Sequence, residues 1–219
     1  MLAPDEKLKL SPKPYLSATG RFASGADTPR DLLERCLADL AALEPKIGAF
    51  VNLNLAGARA AADQSTARWR TGRPRSPIDG MPIGIKDIIE TADMPTENGS
   101  PLFAGFRSER DGASVAALRE AGAVIVGKAV TTEFASTEPR GTRNPHDLRR
   151  TPGGSSSGSA AAVAAGMVST ALGTQVIGST IRPASYCGCV GFKVSVGALN
   201  RGGSYDGLSR ARPACWRPH

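Results

Sequence analysis

Apolar positions along the chain switch between helical and strand-like spacing, and the pattern starts at Thr28. Leu32, Leu33, Cys36, Leu37 and Leu40 recur at steps of three and four, which predicts a helix with one apolar face. Thr28 is placed to cap it, Pro29 takes the first helical position, and Asp31 sits where the first turn favours an acid. A short apolar run at 47–55 leads to an Ala/Arg-rich helix near 58–70, and TGRPRSP then breaks the pattern as a surface loop. MPIGIKDII is β-branched and apolar apart from Lys86 and Asp87, which predicts a buried strand carrying a lysine. SVAALREA predicts a helix ending at a glycine, and AVIVG the strand after it. Further on, SAAAVAAG predicts a helix, VSTALGTQ a strand, IGST an irregular loop, and CVGFKVS another strand. This order is that of an α/β protein. Residues 1–27 carry no periodicity and read as a loosely ordered arm, residues 28–209 as one domain, and residues 210–219 as an irregular tail.

Composition changes this picture little. With 41% hydrophobic and 21% charged residues the chain has the balance of an ordinary globular domain. No run approaches the roughly 20 apolar residues a membrane span requires, and the first residues lack the apolar core of a signal peptide, so a cytoplasmic setting is expected. The net charge of +7 raises the question of a nucleic-acid partner. From Arg201 onward, however, four arginines and one aspartate supply a large share of it, so much of the charge is local to one end. A solvated basic face is the expectation. Cys36, Cys187, Cys189 and Cys215, with His146 and His219, do not form a zinc pattern, and Cys187 and Cys189 are expected as small core residues around a strand.

The chemistry resides in two segments. His146 lies in a polar turn and His219 is the last residue, so neither suits a Ser-His-Asp system, and a Ser-Lys arrangement comes first. TPGGSSSGSAAAVAAGM puts three serines between glycines at the start of a helix, where backbone N–H groups and the helix dipole favour developing negative charge. A phosphate loop would need a GK[ST] ending or GxGxxG spacing, and the segment has neither. A bare Ser/Gly linker is the plainer alternative, yet linkers do not usually run straight into a strong helix former. Taken alone, a lysine is usually a surface charge and a serine a cap or turn residue.

Five segments together resemble the amidase-signature enzymes, over nearly all of residues 28–209. They are DGMPIGIKDII, AGAVIVGKAVTTEFA, RNPHD, TPGGSSSGSAAAVAAGM and GTQVIGSTIRPASYCGCVGFK, in the family's order and at compatible spacing. The resemblance implies a mixed sheet flanked by helices and hydrolysis of a carboxamide C–N bond through an acyl-enzyme, with no cofactor or metal. It implies Lys86 as base, Ser155 as a middle serine on a cis peptide bond, and Ser179 as nucleophile. Backbone N–H groups of Val176, Ile177, Gly178 and Ser179 would form the oxyanion hole, Ser156 would support the loop, and Asp87 would be a structural partner at the strand end. As a base, Lys86 would have to be neutral near pH 7, about three units below the free value of ~10.4, which asks roughly 4 kcal/mol of its surroundings.

The chain departs from the family at Ile177, where a glycine is usual, at Gln175, at the Ile181-Arg182 order, and at Val194 in place of a proline. Family members run to roughly twice this length, so the resemblance implies a truncated domain whose missing half completes the sheet and the substrate pocket. The expected partner is a small-molecule amide. If the chain is instead similar to the amidotransferase component that amidates glutamyl-tRNA, tRNA and companion subunits enter. A catalytically inactive fragment is the third alternative.

Overall fold

The computed structural model describes residues 8–204. A mixed four-stranded sheet forms the frame, in the order β1-β3-β2-β4 with β1 Phe50–Leu53, β2 Pro82–Lys86, β3 Val124–Ala129 and β4 Thr170–Leu172. β3 runs antiparallel to β1 and parallel to β2, and β2 runs parallel to β4. Six α-helices accompany the sheet: α1 Leu16–Ala23, α2 Pro29–Ile47, α3 Leu55–Arg70, α4 Ala113–Glu120, α5 Ser157–Ala164 and α6 Ile181–Tyr186. Parallel neighbours need a crossover rather than a hairpin. α4 lies between β2 and β3 in the chain, and α5 between β3 and β4. This is the expected α/β architecture.

The first strongly patterned helix forms for the predicted reason. Thr28 Oγ1 accepts a hydrogen bond from Asp31 N at 3.0 Å, and Pro29 opens the helix. α2 then runs past Pro45 to Ile47 and stops at Gly48, whose φ of 64° is costly for a residue with a Cβ. Its apolar stripe packs with α3, α5, Val124 and Val126 in one core. Ile83, Ile85 and Ile125 turn the other way and join Ile88, Met94 and Val115 of α4 in a second core. The sheet therefore separates two apolar layers, as alternation along a strand dictates.

The β2–β3 ladder has one irregularity. Ile83 pairs with Ile125 but Gly84 pairs with Gly127, so Val126 is an extra residue in β3. Beyond it Lys128 lies opposite Ile85, and Ala129 opposite Lys86. A bulge re-aims the side chains that follow it.

Three expectations fail. The segment read as a loose arm contains α1, because Tyr15, Ala18 and Phe22 bury against Leu32 and Cys36, with Phe22 edge-on to Trp69 at 5.7 Å. CVGFKVS forms no strand: Val190 and Phe192 stand exposed, and without a ladder partner or a layer to cover it an apolar run has no reason to extend. VSTALGTQ supplies only the three residues of β4. The tail at 210–219 lies outside the described residues.

Candidate active site

Lys86 ends β2, a strand buried along its whole length, and its side chain is fully enclosed. Its Nζ lies 2.7 Å from Ser155 Oγ and 2.7 Å from Thr174 Oγ1. Ser155 is also fully buried and follows a cis Gly154–Ser155 peptide bond, at the turn that leads into α5. Thr132 N donates to Ser155 O at 3.1 Å, and Arg182 Nε and Nη2 both donate to Gly154 O, at 3.1 and 2.7 Å. The carbonyls on either side of the cis bond are thus held by β3's continuation and by α6.

Close approach of α5 to the sheet depends on Gly158. A Cβ there would stand 2.1 Å from Ala49 O and 2.4 Å from Val130 N, closer than atoms can pack. Without it Gly158 N donates to Val130 O at 2.9 Å. The glycines of the serine-rich segment therefore include one whose missing side chain brings the helix start against the sheet.

Ser179 lies half-buried in the turn between β4 and α6, and its carbonyl accepts from Ser156 N at 3.1 Å. Its hydroxyl makes no hydrogen bond to Ser155 among the described residues, so Lys86 and Ser155 are joined side chain to side chain while Ser179 is joined to the loop through the backbone. Ser156 Oγ bonds both N and O of Thr174 at 3.3 Å, which ties the serine loop to the strand end. Gln175 Oε1 accepts from the N–H groups of Thr180 and Ile181, both at 2.9 Å. Gln175 thereby closes a tight loop around 176–179, whose own backbone N–H groups find no intramolecular acceptor among the described residues. Unspent N–H groups in one turn can receive an anion.

Ile177 sits in this turn with its side chain 93% exposed, and its φ is not in the left-handed region. A β-branched residue fits such a backbone without strain. Gly178 likewise lies outside that region, and a Cβ there would meet only Arg182 Cβ, at 3.8 Å. A cleft of about 530 Å³ opens alongside, lined by Ser156, Thr174, Gln175, Val176, Thr180 and Phe192 among others.

Asp87 is buried and pairs with Lys128, Nζ to Oδ1 3.0 Å, with neither side chain exposed. Burial pushes the Asp87 carboxyl up to about 6 against the opposing pull of Lys128, and burial pulls the Lys128 ammonium down. His146 Nε2 lies 2.9 Å from Cys187 O, a structural contact. Cys187 is buried at the end of α6, not on a strand, and its thiol is pushed up to about 12 by burial. Among the described residues no cluster of His, Cys, Asp or Glu is placed to hold a metal, and no helix is long and apolar enough to cross a membrane.

Sequence reasoning assigns no role to Thr174, Arg182 or Lys128. Thr174 and Arg182 act through loops whose path only the fold reveals. Lys128 lies near the end of an apolar strand as Lys86 lies at the end of one, and that placement is the available signal.

With this geometry in view, the similarity to known proteins is specific. The sequence model of the Amidase family matches residues 31–213. The chain belongs to the amidase family. The A-type subunit of glutamyl-tRNA(Gln) amidotransferase from Chloroflexus aggregans is 45% identical over 204 residues, a match covering 89% of this chain and 42% of that protein. Native peptide amidase from Stenotrophomonas maltophilia superposes with a TM-score of 0.82 at 37% identity, over 87% of this chain and 42% of that one. The corresponding amidotransferase subunit of Thermotoga maritima superposes at 0.70 with 33% identity, over 91% and 42%. The chain thus spans about two-fifths of the length of the relatives it matches.

Proposed function

We propose that this amidase-family chain carries the acyl-transfer centre of an enzyme acting on carboxamide C–N bonds, with Ser179 as nucleophile, Ser155 as proton relay and Lys86 as base. The observation that carries the reading is the 2.7 Å contact between Lys86 Nζ and Ser155 Oγ, two side chains that are both fully buried. A neutral amine at that distance takes a hydroxyl proton, and removal from water is what favours the neutral form of a lysine. Ser155 in turn takes the proton of Ser179, whose Oγ forms a bond to the carbonyl carbon of the amide. The resulting oxyanion is received by the N–H groups of Val176, Ile177, Gly178 and Ser179. Collapse breaks the C–N bond, the relay returns its proton to the leaving nitrogen, and water releases the acyl group from Ser179. Ser156 keeps the two loops in register.

A second reading comes from the curated relatives, where A-type amidotransferase subunits reach 41–45% identity. Among solved structures the order is reversed, with the amidotransferase subunit at 33% and amidases at 36–37%. In that reading the nitrogen released from the amide is passed on as ammonia, and companion subunits and a charged tRNA are the partners.

Fluorophosphonate labelling tests the shared chemistry. The expected result is a single adduct on Ser179, lost in Ser179→Ala and in Lys86→Met. A folded wild-type chain that takes no label sinks the enzymatic reading and leaves an inactive fragment. Hydrolysis of simple primary amides by the chain alone favours the hydrolase, and turnover only with companion subunits and tRNA favours the amidotransferase.

A further inference from the structure

Two lysines are wholly buried among the described residues, at the ends of adjacent strands, and only one of them touches a serine. The bulge at Val126 keeps them apart. Without the extra residue, continuing the Ile83–Ile125 register would set Lys86 directly opposite Lys128, two lysines on one face. With it, Lys128 lies opposite Ile85, whose side chain belongs to the α4 layer, while Lys86 turns to the layer of α5 and Ser155. Lys128 there meets the carboxylate of Asp87 at 3.0 Å, Thr96 Oγ1 at 2.6 Å and Pro95 O at 2.9 Å. Asp87 also accepts from Glu97 N, at 3.1 and 3.3 Å.

Both partners are bonded into the backbone that carries the candidate triad. Asp87 adjoins Lys86, and its N donates to Ala129 O at 2.8 Å, the residue after Lys128. Past Ala129, Val130 O receives Gly158 N of α5 and Thr132 N holds Ser155 O. The loop that Lys128 grips continues to Asn98, whose carbonyl receives Phe134 N at 2.9 Å. One ion pair therefore ties the segment bearing Lys86, the segment that fixes Ser155, and the loop between them.

We infer that Asp87 and Lys128 are positioning residues, a clamp on the far face of the sheet that fixes the distance from Lys86 to Ser155. The inference rests on the reading of Lys86 and Ser155 as base and relay. It separates from a purely stabilising role through the logic of buried pairs: removing one partner strands a charge, whereas removing both relieves it.

The experiment compares wild type with Lys128→Met, Asp87→Asn and the double variant, following the rate of Ser179 labelling by a fluorophosphonate and the thermal midpoint. Each single variant is expected to lose both. The double variant is expected to regain most of the midpoint yet label at least tenfold more slowly than wild type, because a thioether in place of the Lys128 ammonium cannot hold Pro95, Thr96 and residue 87 together. A double variant that labels at the wild-type rate overturns the clamp and leaves the triad reading intact. Labelling that returns in strict proportion to the midpoint overturns it as well. A wild-type chain without label overturns both readings together.

Discussion

Between Thr28 and Leu172 the fold buries two lysines completely, whereas between Val176 and Leu199 eight large apolar side chains stand exposed, Ile177 and Phe192 among them. Each fully buried lysine or aspartate in the first region has a partner: Lys128 has Asp87, the enclosed carboxylate of Asp79 has Arg68, and Lys86 bonds two hydroxyls. The second region has one short helix and otherwise irregular backbone, and it forms one side of the cleft. Val176, Val190, Phe192, Val196 and Leu199 line that same cleft, and exposed apolar side chains gathered in this way mark a face suited to contact rather than to water. The difference teaches where the chemistry is anchored. The groups proposed as base and relay, Lys86 and Ser155, are set in the closely packed frame, and the turn proposed to receive the substrate's oxygen stands at the border with the exposed part.

The largest expected effect comes from removing the side chains proposed for the chemistry, Lys86 in the frame and Ser179 in the bordering turn. Lys86→Met and Ser179→Ala should each lower labelling or amide turnover by about 10⁴-fold or more, as removing a member of a catalytic unit does elsewhere. Ile177→Ser, in the same turn as Ser179 but with its side chain in solvent, should change the rate less than about threefold, because the donor proposed there is its backbone N–H. Comparable losses from all three would mean that the exposed side chain at 177 takes part in the site, and would dissolve the distinction between packed and exposed groups.

Next in size is Gly158→Ala. The added methyl meets Ala49 O and Val130 N, both backbone atoms that cannot rotate away, so a loss of about 3 kcal/mol is expected, the upper end of overpacking costs, read from denaturant unfolding. A neutral outcome would mean that α5 can lift from the sheet without cost. That would also undermine a fixed distance from Ser155 to Lys86.

Much of this frame is legible in the sequence. The Thr28 cap and the Leu32 to Leu40 stripe declare α2, and the apolar runs around Lys86 and Lys128 declare two buried strands. The serine loop declares itself by glycines leading into a helix former. What stays hidden depends on contacts between distant segments. α1 is held by Phe22 against Trp69, far along the chain, and no local period records that. Lys128 reads as a strand-end charge until Asp87 is found beside it. CVGFKVS has the composition of a strand, but a strand also needs a neighbour, and composition cannot supply one.

The pH response sharpens the same contrast. Asp87 has a folded value of about 6, above its ordinary value near 3.8, so the folded chain keeps a proton that the unfolded chain has already released. The stability this confers is complete below about pH 4 and is lost as pH rises through about 6. Asp87→Asn has no such proton. The stability of wild type minus that of the variant should therefore fall across this window by something on the order of 2 kcal/mol. Unpaired Lys128 in the variant resists protonation when folded, which costs the variant stability at low pH and gives the difference the same sign. A difference that rises with pH, or stays flat, would mean that the pair is charged throughout and better solvated than its burial implies.

The smallest expected change in stability lies in the second region. Val190 and Phe192 are 96% and 79% exposed, so replacing both with serine removes almost no buried surface, and unfolding free energy should move by no more than about 0.5 kcal/mol. Their effect should show instead in association. An apolar face beside an open cleft lowers its free energy by covering itself, and the Val190→Ser/Phe192→Ser chain should sediment as smaller species than wild type at equal concentration. If sedimentation is unchanged while stability drops by more than about 1 kcal/mol, those side chains are packing against their own chain in solution. The irregular stretch would then be part of the folded frame rather than a contact surface.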